Sequence, residues 1–364
     1  MLNYTRIAPA AIPQQTRYQE VPLFDEGLYD LGQQTYAWMV PNGSWGEANA
    51  GLIVGDGESL LVDTLWDVAY TRQMLDAMAQ LTDAAPIRTV VNTHADGDHY
   101  FGNELLKVQT ITSLKALTEM AGVKPKSMIL LGKMGKLHGF FGRFSQKQAK
   151  IGRYFQQMVA PYDFKAVTAT LPTRTFEQAL TLDVGGRVVH LIEVGPAHTQ
   201  GDSMVYVPDA KILFSADILF INSTPVMWAG PVTNWLAALE RILKLDVETI
   251  IPGHGPITDK NGVRAVQAYW QYVADQVGER FRAGLDAEAA ARDIALSADF
   301  GRQPFANWNS PERIMTSTHT IYRHLQGITA HPTVPQLVAI MRKQAVLAND
   351  LPTAQPQIMR LAGK

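Results

Sequence analysis

Between Asn92 and Asn103 the chain reads NTHADGDHYFGN, which places His94, Asp96, Asp98 and His99 within six residues, directly after the apolar run IRTVV. Imidazoles and carboxylates crowded into one turn form a donor set suited to a divalent cation. Three further residues share this setting. His198 lies in GPAHTQGD after VVHLIEV, Asp217 ends KILFSAD, and His254 lies in PGHGP after ETII. Functional groups of layered α/β folds gather where strands end and loops begin. Gly or other small residues beside each of these places let the backbone turn sharply. The chain has no cysteine, so thiolate sites, disulfides and cysteine nucleophiles are excluded. The four histidines and three aspartates suffice for one or two divalent cations. A cation of this kind lowers the pKa of its water to about 7, which supplies hydroxide for attack on an electrophilic carbon, and it stabilises the oxyanion as a Lewis acid.

The elements that must carry these residues alternate in type. From Gly27 to Thr64, apolar runs and turn signals predict strands, with GDGE as the clearest hairpin. In DVAYTRQMLDAMAQL, the residues Ala69, Met74, Leu75, Met78 and Leu81 recur at helical spacing ahead of the strand IRTVV. Strand, helix, strand argues for an α/β layered fold. The second half repeats this mix, with strand-like QALTLDVGGRVVHLIEV, SMVYVPDAKILFSAD and VETII, and the amphipathic helix PVTNWLAALERILKL before the last. Residues 104–173 break the rhythm as an irregular helical insertion, in which Lys124 to Lys165 hold nine Lys or Arg and one acid, Asp163. A solvated basic face or dimer interface is the ordinary reading. A cap over the site, or a surface for anionic substrates or lipid head groups, is the sharper one. From Asn261 onward the chain reads almost wholly helical.

Composition excludes several classes. With 46% apolar and 18% charged residues and a net charge of −2, the chain reads as a globular protein with no global reason to bind nucleic acid. The N-terminal stretch lacks a basic segment followed by an apolar run, and no run of about 18 apolar residues occurs. A cytoplasmic protein without stable membrane insertion is expected.

THADGDH, GPAHTQGD, SAD and PGHGP, with the earlier LLVDT, resemble the successive motifs of the metallo-β-lactamase-fold hydrolases, in particular the glyoxalase II-like branch. The resemblance covers roughly residues 30–260. It implies an αββα sandwich of two mixed β-sheets flanked by helices. The catalytic domain would span 1–260, with the helical insertion at 104–173 and a helical C-terminal extension at 261–364. The family motif HxHxDH reads here His94, Ala95, Asp96, Gly97, Asp98, His99, so Asp96 replaces the second histidine. By position, the resemblance implies one metal on His94, Asp96 and His198 and another on Asp98, His99 and His254, bridged by Asp217. Asp98 would be both ligand and general base. One or two zinc ions are implied. The harder carboxylate donor at Asp96 either favours Mn or Fe or weakens the first site, leaving Asp98, His99, Asp217 and His254 to carry the chemistry. Relatives that are β-lactamases of the type with a bridging cysteine are disfavoured, because that cysteine is absent. Asp63 in LLVDT resembles the aspartate that orients the metal motif; capping of loop amides is the ordinary alternative. His138, His190, His319, His324 and His331 match no motif position.

The loops AWMVPNGSWGEAN and FINSTPVMWAGP and the insertion should frame the pocket. Their Trp38, Trp45 and Trp228 suit an apolar or aromatic substrate, unless the rings pack the sandwich edge. Three functions stand: a zinc-dependent hydrolase (lactonase or esterase) of an ester, lactone, thioester or amide; a hydrolytic dehalogenase; and a non-hydrolytic redox or metal-binding protein. The expected partner is a small-molecule substrate, with a homodimer as an option.

Overall fold

In the computed structural model, residues 2–11, 17–19 and 21–351 are described. The first half builds an eight-stranded sheet in sequence order, from β1 (Thr5–Pro9), β2 (Gly27–Asp30), β3 (Thr35–Met39), β4 (Ala50–Val54) and β5 (Ser59–Val62). Helix α1 (Val68–Ala84) then crosses over to β6 (Ile87–Val91), followed by β7 (Gln109–Ser113). Three helices, α2 (Leu114–Met120), α3 (Pro125–Phe141) and α4 (Gln146–Val159), precede the last strand, β8 (Arg174–Phe176). Strands β1 to β5 pair antiparallel and β5 to β8 parallel, as crossover connections require.

The second sheet has five strands: β9 (Ala179–Val184), β10 (Arg187–Glu193), β11 (Ser203–Val207), β12 (Ile212–Phe220) and, after helix α5 (Val232–Lys244), β13 (Thr249–His254). Helices α6 (Lys260–Arg282), α7 (Ala287–Ala295), α8 (Ala298–Gly301), α9 (Ile314–Leu325) and α10 (Val334–Asp350) complete the chain. The fold is the expected αββα sandwich with further helices at its C-terminal end.

The alternation of each strand divides its side chains between layers. Ala37 and Met39 of β3 join Ile53, Val62, Leu191, Val205 and Phe214 between the sheets. Trp38 points the other way, into a cluster with Leu52, Leu61, Met74 and Met78 beneath α1. The expectation that Trp38 frames the pocket is therefore corrected: its register position commits it to the outer core. Met74 and Met78 are fully buried, as their helical spacing predicts, and burying each contributes about 1.5–3 kcal/mol. Asp67 starts α1 by accepting the Tyr70 N–H at 2.8 Å. On the other face, Trp235, Leu239 and Ile242 of α5 pack with Val266, Trp270 and Val273 of α6 in one cluster with Leu213, Ile218 and Leu219 of β12.

The irregular helical insertion contains one strand that its expectation does not include. The stretch QTITS forms β7 and extends the sheet beyond β6. Its β-branched residues suit a strand, but five residues among helical segments give too short a pattern to stand out.

Candidate metal centre

The expected site residues converge at one edge of the sandwich. His94 and Asp96 leave β6, Asp98 and His99 sit in a tight 3-10 turn, and His198 follows β10. Asp217 and His254 depart from their expected loop positions. Strand β12 continues past Asp217 to Phe220, and β13 includes His254. A register irregularity around Ala216, whose φ is +48°, lets the strand continue while bringing the Asp217 carboxylate into the site. Gly253 leaves that carboxylate room: a Cβ there would lie 1.9 Å from Asp217 Oδ1.

Each imidazole is held by Nδ1. His94 Nδ1 lies 2.9 Å from Thr93 Oγ1, and His99 Nδ1 lies 2.9 Å from Asp63 Oδ2. His198 Nδ1 donates to the Val226 carbonyl at 2.7 Å, and His254 Nδ1 to that of Glu47 at 3.0 Å. All four Nε2 atoms are thereby directed at the aspartates. His198 Nε2 is 3.0 Å from Asp96 Oδ2 and 3.2 Å from Asp217 Oδ2. His94 Nε2 is 3.7 Å from Asp217 Oδ2. His99 Nε2 lies 3.2 Å from Asp217 Oδ1. His254 Nε2 lies 3.4 Å from Asp217 Oδ2 and 3.5 Å from Asp98 Oδ2.

Two groups result, His94, Asp96, His198 and Asp217, and Asp98, His99 and His254, each with its ligand-type atoms within 4.8 Å of one another. The donor set fits divalent cations. Moreover, His94 Nε2 is buried without a hydrogen-bond partner, and His99 Nε2 and Asp217 Oδ1 face each other at 3.2 Å without hydrogen-bond geometry, a costly arrangement that a cation would relieve.

The charges of the cluster are strongly coupled. Burial opposes charge on His198, but Asp217 and Asp96 outweigh it and raise its pKa to about 10. Burial likewise opposes charge on His99, yet Asp217 and Asp63 hold it well above the usual imidazole value. Desolvation and the neighbouring His99 keep His94 well below it. Asp217 is held well below the carboxylate range because four imidazoles, His254 first, outweigh its burial. Burial pushes the Asp98 carboxyl up. The aspartates around His99 and His198 thus favour positive charge at the place a dication would take.

The cluster opens onto a cavity of about 300 Å³ with an apolar wall that includes Trp45, Trp66, Phe101, Leu131, Trp228 and Met341. Trp45 and Trp228 stand at 6.2 Å between ring centroids, so two of the three expected tryptophans line it. Trp228 Nε1 also donates to Asp96 Oδ2 at 3.2 Å.

Three other residues of the wall, Glu119, Arg313 and His331, carry no sequence motif. Burial raises the Glu119 pKa to about 7. The Arg313 guanidinium is buried, lies 4.7 Å from the Trp45 ring centroid, and donates to Ser223 Oγ at 3.2 Å and the Thr224 carbonyl at 3.1 Å. Nothing in SPERIM distinguishes it from a surface arginine. Of the other histidines outside the motifs, His190 pairs with Thr181 at a sheet surface, and His324 donates to the Ala229 carbonyl at 2.7 Å.

An α/β sandwich with a histidine and aspartate cluster at its edge is the arrangement of a superfamily made up mostly of metal-dependent hydrolases. Residues 43–254 match the family model described as the metallo-beta-lactamase superfamily, and the chain belongs to that superfamily. It is 25% identical over 263 residues to the 2,4-dinitroanisole O-demethylase subunit alpha of Nocardioides sp. (strain JS1661), covering 70% of this chain and 67% of that protein. It is 24% identical to the linear primary-alkylsulfatase of Pseudomonas sp. (strain ATCC 19151), over 77% of this chain and 54% of the relative. The solved structure of the sec-alkylsulfatase Pisa1 from Pseudomonas sp. superposes with a TM-score of 0.59 at 16% identity, covering 85% of this chain and 51% of that one. The chain thus spans about half the length of these alkylsulfatases.

Proposed function

We propose that this protein is a metal-dependent hydrolase of a small substrate with an apolar or aromatic body, cleaving an ester, lactone, thioester or amide-type carbonyl. One observation carries this reading: Asp96, Asp98, His198, Asp217 and His254 all reach the wall of a largely apolar cavity. His94, Asp96 and His198 would hold one cation and Asp98, His99 and His254 a second, with Asp217 shared between them. Zinc suits this set, and the carboxylate of Asp96 also admits Mn or Fe. When bound, such a cation supplies Lewis acidity and a water acidified toward neutral pKa.

The chain's own residues do the rest. Trp45 and Trp228 position the apolar body of the substrate. Asp98, whose carboxyl is pushed up by burial, takes up the proton released on attack and returns it to the leaving group.

Arg313 favours a second reading, cleavage of a sulfate ester. Its buried guanidinium lines the same cavity and is complementary to an anionic ester group. The linear primary-alkylsulfatase among the similar proteins agrees with that chemistry.

One experiment separates the readings. Protein stripped by chelator and reloaded with zinc, manganese or iron is offered aryl and alkyl esters, lactones, thioesters, alkyl sulfates and chlorinated aromatics, with acid, sulfate and halide followed together. Metal-dependent acid release alone supports carbonyl hydrolysis. Sulfate release selects the second reading, and halide release moves the assignment to hydrolytic dehalogenation. No metal-dependent release from any of them removes the hydrolase reading.

A further inference from the structure

We propose that the hairpin of α3 and α4 docks the protein on an anionic lipid surface. The two helices divide their roles. Helix α4 turns Ile151, Tyr154, Phe155 and Met158 inward, and α3 packs on it through Leu131 and Gly135. The close approach is built in, because a Cβ at Gly135 would lie 2.8 Å from Gln156 Cγ.

The remaining face of α3 repeats at helical spacing. Lys126, Leu130, Lys133, Leu137 and Phe141 follow one another four, three, four and four residues apart, and all are exposed. Apolar residues dominate toward the turn. Leu137 is 59%, Phe140 54%, Phe141 48% and Phe144 82% exposed. The cations surround them: Lys133, Lys136, Arg143 and Lys147 are exposed beside the tip, and the Arg143 guanidinium lies 5.4 Å from the Phe140 ring centroid.

A cluster of large apolar side chains left in water marks an interaction surface. Charge selects the occupant. Lys133, Lys136, Arg143 and Lys147 lie at the tip and residues 124–162 contain no acid, so two copies meeting tip to tip would bring like charges together. An anionic bilayer accepts both halves of the pattern, with the phenylalanine tip in the acyl boundary and the lysines at head-group level. At the end away from this tip, the same hairpin supplies Met128, Leu131 and Met158 to the cavity beside the metal cluster. This inference is independent of the reaction the site performs.

Sedimentation of the full chain with vesicles tests it. Vesicles of phosphatidylcholine with added phosphatidylglycerol should carry the protein down, pure phosphatidylcholine should carry little, and high salt should release it. Phe140→Ser with Phe144→Ser, and separately Lys133→Glu with Lys136→Glu, should each lower partitioning by about tenfold or more. Both pairs lie on exposed positions, and circular dichroism and metal content should match wild type. Failure of the wild type to bind anionic vesicles overturns the proposal, as do variants that bind as well as it does. A wild-type dimer that the phenylalanine pair converts to monomer would assign the tip to a second copy instead.

Discussion

Asp63 Oδ2 lies 2.9 Å from His99 Nδ1, while the same carboxylate accepts the Thr93 N–H at 2.8 Å and the Thr93 hydroxyl at 2.7 Å. That hydroxyl is in turn 2.9 Å from His94 Nδ1. One buried carboxylate therefore orients both His94 and His99. Its backbone is left-handed, with φ of +61°, a conformation that asparagine also tolerates. Asp63→Asn should keep the turn and lose the charge behind His99. Metal affinity should fall about 10–100-fold, read as metal retained against a chelator series. Unchanged retention would reduce Asp63 to a cap of the loop amides.

His254 closes the site from the second sheet. Its Nε2 lies within 3.5 Å of both Asp98 and Asp217, and its ring stacks on Phe220 at 4.9 Å. Removing the imidazole by His254→Ala should abolish metal-dependent turnover while leaving the far-ultraviolet dichroism unchanged. Wild-type turnover in this variant would take His254 out of the ligand set.

Trp45 should govern substrate affinity more than turnover. Its ring packs near Trp228 and under Arg313, and its Nε1 donates to Tyr154 OH at 3.2 Å. Trp45→Ala opens the apolar wall without touching a metal-ligating group. For a substrate with an aromatic body, KM should rise about tenfold with kcat changed far less. A loss confined to kcat would show that Trp45 holds the cluster rather than the substrate.

The site was more legible in the sequence than the pocket, and the reason is physical. Ligand-type residues gather near strand ends, so His94, Asp98, His99 and His198 after their strands, and His254 as the last residue of β13, stand beside readable turns. The strand alternation that sends Trp38 under α1 while Ala37 and Met39 face the other sheet is also written locally, but AWMVPNGSWGEAN gives no mark of where the strand ends, so Trp38 in β3 and Trp45 beyond it look alike. Arg313 and Glu119 reach the cavity from segments far apart in the chain, and no local pattern encodes that meeting. Strand β1 lies outside the strands the sequence predicts: TRIAP is short and largely exposed at the sheet edge, which leaves little apolar signal.

Glu312 gives a pH-dependent prediction away from the metal cluster. Burial raises its pKa from 4.5 to about 7, against the opposing pull of Arg313, and its Oε1 accepts the Tyr154 hydroxyl at 2.8 Å. Between those two values the folded state binds more protons than the unfolded one, so this group makes stability fall as pH rises. Glu312→Gln keeps an acceptor for Tyr154 and removes the charge. It should be near neutral at pH below the unfolded value and stabilising above pH 7, by up to about 3 kcal/mol. Denaturant unfolding at both ends checks this, and a destabilisation that is larger at high pH would show the carboxylate to be favourable.

Asp96 bears on how many metals the site would hold. Its carboxylate replaces the imidazole usual at this motif position, and its Oδ2 meets both His198 Nε2 at 3.0 Å and Trp228 Nε1 at 3.2 Å. Those two contacts hold it in the first group of donors while adding a negative charge beside Asp217. A wild-type content near two metals per chain by elemental analysis would keep Asp96 as a ligand in a site bridged by Asp217. A content near one would mean that the carboxylate has weakened that group. Asp96→His should retain the fold and raise the zinc held there, since imidazole is the softer donor. Unchanged zinc in Asp96→His would show that Asp96 serves the substrate side of the cavity, through Trp228, rather than the metal.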